Sequence, residues 1–260
     1  MPIQADLALF QKIMSDLDVI QREQYLSSFS YQFTHNSTAL EGNTVSYYET
    51  VTLINDGITP AGKTIRECHE IIGHDKAVRK MIALGTTGKG QVSEDIIREF
   101  HQLCMYPAQY AGVYRNTQAY IRGARTKVDP PQKIYEDMKF LIEDLNNKEF
   151  KGLLKKAAYA HAEFVRIHPF SDADGRTARL LMNYILLTGN YPMICIDKTR
   201  RAEYIEALDA YGVTGDLQPF YAFLSSCLQA ELKKFFDLFD EIYTNYVKLP
   251  KFGAQNYLTE

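Results

Sequence analysis

Residues 167–179 read IHPFSDADGRTAR, which places a base, two acids and two fixed cations in one short stretch. His168 is a base that is neutral near pH 7. Asp172 offers oxygen ligands suited to a divalent cation. Arg176 and Arg179 are three apart, a spacing that shares one helix face and suits phosphate oxygens. The apolar run LLMNYILL follows, so a helix is predicted to start near Asp174 or Gly175. Helix starts carry unpaired N–H groups and partial positive charge, which favours phosphate. Pro169 is expected to end the preceding helix and to hold His168 extended. Together these parts describe a nucleoside-triphosphate site with a base placed to deprotonate a hydroxyl. A plainer alternative uses the same residues: Asp172 and Asp174 cap the helix and each arginine pairs with a carboxylate.

The elements that must position this stretch are mostly helical. Phe10, Ile13, Met14 and Leu17 form one stripe at helical spacing, and Ile65, Cys68, Ile71 and Ile72 begin another. Further helices are predicted near 92–105, 130–146, 151–167, 174–188, 200–211 and 217–246. NTQAYIRGARTKVD alternates around Thr117 to Ile121, centres on Gly123 and stops at Pro130-Pro131, which suggests a short hairpin. The predicted fold class is therefore all-α with a short β-hairpin. Residues 1–59 read as a helical arm, 60–247 as the core and 248–260 as a tail.

Composition sets outer bounds. The chain has 260 residues, 46% of them apolar and 23% charged, as in an ordinary globular protein. A net charge of -3 provides no basic field, so no nucleic-acid partner is expected. The first residues lack a basic n-region, and no apolar run reaches membrane-spanning length. Cys68, Cys104, Cys195 and Cys227 are scattered, as reduced thiols in a cytoplasm would be.

Two motifs mislead. GITPAGKT, Gly57 to Thr64, matches the phosphate-loop pattern, and MICID ends in Asp197 as a magnesium-holding strand would. A phosphate loop must join a buried parallel strand to a helix, and the chain lacks the strands for such a sheet. A turn before a helix at Thr64 or Ile65 is expected instead. HEIIGH separates His69 from His74 by five residues, where a zinc pair on one helix face needs four. His161, two turns before His168, is read as a buried support residue.

HPFSDADGRTAR resembles the signature of the Fic family, H-P-F-x-(D/E)-G-N-G-R-x-x-R. AGVYRNTQAYIRGARTKVDPP is similar to that family's approach to its flap, and the likeness runs over residues 35–225. The resemblance implies a helical bundle with a hairpin flap and transfer of AMP from ATP, with Mg2+, to a protein side-chain hydroxyl. It casts His168 as the general base and Asp172 as the metal ligand. Ala173, Asp174, Gly175 and Arg176 would form the anion-binding turn, and Arg176 and Arg179 would hold the outer phosphates. Ala119, Tyr120, Ile121 and Arg122 would dock the protein substrate by strand addition. Tyr204 would line the adenine pocket. STALEGN resembles the inhibitory motif (S/T)-x-x-x-E-(G/N), here Ser37, Glu41 and Gly42, with Glu41 pairing Arg179. The competing reading of TALE is a capping box, Thr38 with Glu41.

The sequence departs from the signature at Ala173-Asp174, where Gly-Asn is usual. Alanine narrows the backbone choices if that position needs a positive φ. A carboxylate at 174 can only accept, and it adds charge beside a polyanion. Asp174 therefore turns away, becomes an extra metal ligand, or weakens transfer. The alternatives carried with the transferase are de-adenylylation, transfer of another nucleotide, and a weakly active nucleotide-binding relative. A homodimer is left open.

Overall fold

The computed structural model describes residues 3–87, 90–107, 110–121, 124–240, 242 and 244. Ten α-helices are present among them: α1 Ile3–Asp16, α2 Val19–Ala39, α3 Tyr47–Asp56, α4 Ile65–Gly85, α5 Glu94–Cys104, α6 Ile134–Asn147, α7 Leu153–Ile167, α8 Asp174–Thr188, α9 Arg201–Thr214 and α10 Gln218–Leu238. Short 3-10 turns, Pro131–Lys133 and Lys198–Arg200, lead into α6 and α9. The predicted helix from 130 thus starts as a tighter turn, and the one placed at 217–246 is continuous as α10 to Leu238.

The starts of α2, α3 and α4 are written into the sequence as capping boxes: Asp18 with Gln21, Ser46 with Glu49, and Thr64 with Glu67. Thr64 resolves GITPAGKT. The stretch is a turn that ends in a helix cap, and Lys63 Nζ donates to the Thr44 carbonyl at 2.7 Å.

α8 is the central helix. From Arg176 to Leu187 every residue is buried, so its apolar character runs all round rather than along one stripe. It packs on α7, α4, α5 and α2. Its buried Asn183 pairs with the backbone of Ile194, donating to the carbonyl at 3.0 Å and accepting from the N–H at 2.7 Å. That amide serves MICI in place of a neighbouring strand, which is how residues 193–196 are buried without a sheet. Asp197 caps the 3-10 turn through the Thr199 N–H at 2.8 Å.

No strand occurs among the described residues; the hairpin expected from Thr117 to Pro130 has its centre, Gly123, outside them, and its described flanks are not strands. The described residues between α5 and α6 are held by side chains, with no ladder among them. Among the described residues no helix is long and apolar enough to cross a membrane.

Candidate active site

α7 ends at Ile167 because His168 adopts a left-handed conformation, φ 52 and ψ 62, with its N–H donating to the Phe164 carbonyl at 2.9 Å. The extended backbone expected before Pro169 is therefore corrected. The helix stops where predicted, by a left-handed cap of the kind that closes many helices. The imidazole is about four-fifths buried, its Nε2 lying 3.3 Å from Asp174 Oδ2.

The bend then makes a second left-handed turn at Ala173, φ 61 and ψ 11, and α8 begins at Asp174. Neither aspartate caps it: the N-cap is Ala173, without a side-chain cap, so the helix start stays open. Asp172 Oδ1 accepts from the Ala173 N–H at 2.6 Å, and its carboxylate is 63% exposed. Asp174 turns inward, accepting from the Phe170 N–H at 3.1 Å and facing His168. Burial raises its carboxyl well above the usual range, which disfavours its charged form beside the turn.

Positive φ at Ala173 costs roughly 1–2 kcal/mol in a residue with a Cβ. Ala173→Gly removes that strain and one buried methyl worth about 0.8 kcal/mol. A net gain of up to about 1 kcal/mol is expected in urea unfolding, and Ala173→Val should lose more than about 1 kcal/mol.

The two arginines go to different neighbours. Arg176 reaches the end of α5, with Nη1 donating to the Cys104 carbonyl at 3.3 Å and Nη2 lying 3.5 Å from Asp172. Arg179, fully buried, is gripped from α2: Nε donates to Ser37 Oγ and Nη2 to the Ser37 carbonyl, both at 2.8 Å. Nη2 also meets Glu41 Oε1 at 2.8 Å, and Nη1 donates to Tyr204 Oη at 3.2 Å. Tyr204 is itself buried, its hydroxyl 2.9 Å from His161 Nε2, so it backs Arg179 rather than lining an open pocket. His161 fills the support role expected of it.

Thr38 lies in the last turn of α2 and donates to the Thr34 carbonyl at 2.8 Å, so the Thr38–Glu41 capping box does not form. Beyond α2, Gly42 takes φ 99, a value that favours glycine. Asn43 then pins the turn to α4 through the Glu67 carbonyl at 3.0 Å and Glu70 at 2.8 Å. This turn sets Glu41 over the start of α8, where a Cβ on Gly175 would overlap its carboxylate. A carboxylate of the chain thus stands at the open helix start, where an anion is favoured.

Sequence reasoning passed over three supports. His74 of α4 is fully buried, Nε2 at 2.9 Å from Ser37 Oγ and Nδ1 at 3.2 Å from Thr34 Oγ1. Ser37 Oγ accepts from Arg179, so its own hydrogen is available for His74 Nε2, and the imidazole is then neutral with its proton on Nδ1. His101 stacks on Phe170 at 3.6 Å and lies 3.1 Å from the Asp172 carbonyl through Nε2, bracing the bend from α5. Arg115, buried, donates through Nε to the His168 carbonyl at 2.7 Å. A histidine on an apolar face was the available signal for His101; Arg115 had none. Of the expected docking residues, Tyr120 is 87% exposed, Ala119 and Ile121 are half-buried, and Arg122 lies outside the described residues.

Burial holds the imidazoles neutral: it lowers His168 to about 4, His101 to about 4 and His161 to about 3, and puts His74 well below its usual value. Unfolded histidines titrate near 6.5, so below that pH the unfolded chain binds protons that the folded chain refuses. Their contribution to stability is complete above about 6.5 and is lost progressively toward pH 4. Asp174 has the opposite sign, its contribution falling as pH rises, and so do Glu231 and Asp137, whose carboxyls burial also raises, so they offset part of the loss from the four imidazoles. A net loss of a few kcal/mol between pH 6.5 and 5 is expected in urea unfolding, and a flat profile would contradict this set of buried neutral imidazoles.

The pattern of the Fic/DOC family matches residues 91–186. The chain is 33% identical over 221 residues to protein adenylyltransferase fic-1 of Caenorhabditis elegans, covering 83% of itself but only 42% of that relative. It is 31% identical over 233 residues to protein adenylyltransferase Fic of Drosophila willistoni, covering 88% of itself and 45% of that protein. A Fic domain-containing signaling protein from Bacteroides thetaiotaomicron superposes with a TM-score of 0.79 at 26% identity, over 87% of this chain and 92% of that one. A solved fragment of Fic-1 from C. elegans superposes with a TM-score of 0.78 at 30% identity, over 90% of this chain and 71% of that fragment. On that likeness, the chain belongs to the Fic/DOC family.

Proposed function

We propose that the chain transfers AMP from Mg-ATP to a protein hydroxyl and that residues 1–59 act as an inhibitory arm upon a core of 60–247. The observation that carries this reading is the neutral base His168 beside an uncapped helix start already covered by Glu41.

In the proposed reaction the target hydroxyl gives its proton to His168 as its oxygen attacks the α-phosphorus, and pyrophosphate leaves. Burial keeps the imidazole neutral, and so able to accept, across the pH range above about 5. The open N–H groups of Asp174, Gly175 and Arg176 would take phosphate oxygens, and Arg179 would take the outer phosphates once Glu41 and Ser37 release it.

Among the described residues no three His, Cys, Asp or Glu side chains cluster as a metal site. Asp172 still fits Mg2+, which is commonly held by one carboxylate together with substrate phosphates, since its carboxylate is exposed beside the open helix start. Bound there, the ion would neutralise charge developing on the phosphates.

Tyr120 and its neighbours would receive a target segment in extended form, as a flap. The buried free thiols are compatible with a cytoplasmic setting. Mass analysis of target and enzyme after incubation with Mg-ATP tests the reading: AMP on a Ser, Thr or Tyr supports it, and phosphate alone would overturn it.

A further inference from the structure

The segment between α5 and α6 makes a long excursion past His168, and two side chains tie it down. At its root Arg115 is 5% exposed. Its guanidinium donates to the carbonyls of His168 at 2.7 Å, Thr117 at 2.8 Å, Asp129 at 2.5 Å and Ile167 at 3.4 Å. Its backbone N–H donates to the Pro169 carbonyl at 2.9 Å. Thr117 and Asp129 are the two ends of the excursion, so one planar, rigid fork joins both ends to the backbone of His168.

Further out, Asp209 of α9 takes the returning chain. Oδ1 accepts from the N–H groups of Arg125 at 2.9 Å and Thr126 at 2.8 Å and from Thr126 Oγ1 at 2.7 Å, while Oδ2 accepts from Arg125 Nε at 2.8 Å. Burial pushes this carboxyl up, but the donors outweigh it and hold it at about 2, so the clamp stays ionised at working pH. Gly212 lies three residues along the same helix, and a Cβ there would overlap the Thr126 side chain. α9 therefore offers a carboxylate to Arg125 and Thr126 and a bare patch of backbone to Thr126.

We propose that Arg115 and Asp209 are positioning residues for the transfer. They hold the stretches 117–121 and 124–129 against α9 and the backbone of His168, so that a target strand lying along Ala119–Ile121 presents its hydroxyl to the imidazole. The role rests on the transferase reading, yet neither Asp209 nor Gly212 belongs to the phosphate turn. Preorganised geometry of this kind matters because small displacements of reacting groups cost large factors in rate.

Arg115→Ala would strip the donor from buried carbonyls and is expected to compromise folding. The test therefore uses Asp209→Ala, Asp209→Asn and Gly212→Ala, each in the full chain together with Glu41→Gly. Three quantities are read: label transferred from α-labelled Mg-ATP to the protein itself and to lysate proteins, affinity for Mg-ATP by calorimetry, and the rate of trypsin cleavage after Arg125 and Lys127 under native conditions.

Asp209→Ala and Gly212→Ala should speed cleavage and lower labelling about tenfold or more, with nucleotide affinity within about twofold. Asp209→Asn keeps an oxygen for the two backbone N–H groups and should recover most of the labelling. Cleavage unchanged, or labelling unchanged in a variant whose segment has become cleavable, would overturn the positioning role. Nucleotide affinity falling in step with labelling would overturn it too, as a mark of general damage. Absence of labelling by Glu41→Gly alone would bring down the transferase reading and this role with it.

Discussion

Glu41→Gly should raise labelling of protein from Mg-ATP by about tenfold to a hundredfold over the unsubstituted chain. A guanidinium has five N–H bonds, and Arg179 spends four of them on Ser37, Glu41 and Tyr204. The substitution frees one and removes the negative charge that lies over the start of α8. A phosphate placed there gains a charge-assisted donor and loses a like-charged neighbour, each worth about 1 kcal/mol or more in a partly buried site. Ser37→Ala alone should do less, because Glu41 would still cover the helix start. Equal effects of the two substitutions would mean that the hydroxyl, not the carboxylate, holds the arm in place.

His168→Ala should lower labelling by about a hundredfold to ten-thousandfold, tested in the Glu41→Gly background so that the loss can be measured. The imidazole lies at the bend, with Nε2 beside Asp174, and makes none of the contacts that hold Arg179. Affinity for Mg-ATP should therefore change little, which separates loss of the base from loss of the nucleotide. The side chain is partly exposed and sits at a left-handed cap, so its removal should leave the fold standing. Parallel loss of nucleotide affinity and activity would place His168 on the nucleotide and not on the hydroxyl.

Most of the core helices and the helix start at Asp174 were legible because their signals are local, apolar periodicity and a proline, whereas the capping boxes that start α2, α3 and α4 went unread. The open N-terminus of α8 was legible in outline, but which acid would cap it was not. Asp172 and Asp174 are both good capping residues, and the choice of neither depends on Ala173 turning left-handed. The backbone of His168 was misjudged for a related reason. The restriction that proline places on its predecessor is a tendency, and here it yields to helix closure onto Phe164.

The contact of Glu41 with Arg179 could be guessed from a motif, whereas the buried line from His74 through Ser37 to Arg179 could not. It joins α4, α2 and α8, and no spacing within one helix records such a meeting. The same holds for Arg115 and Asp209, whose partners are largely backbone atoms. Backbone carbonyls and N–H groups have no letter in the sequence. Asp174 illustrates the limit from the other side: its type was alarming beside a polyanion, and only its inward turn and burial, which disfavour the charged form, ease the conflict.

The central claim is that His168 and the start of α8 form an AMP-transfer site which Glu41 closes. Incubation of the unsubstituted chain, Glu41→Gly and Glu41→Gly/His168→Ala with α-labelled Mg-ATP tests it most directly. The account predicts weak labelling of protein, then strong labelling, then almost none, with the label recovered as AMP on a hydroxyl side chain. Labelling by the unsubstituted chain equal to that of Glu41→Gly, or full labelling without His168, would contradict it.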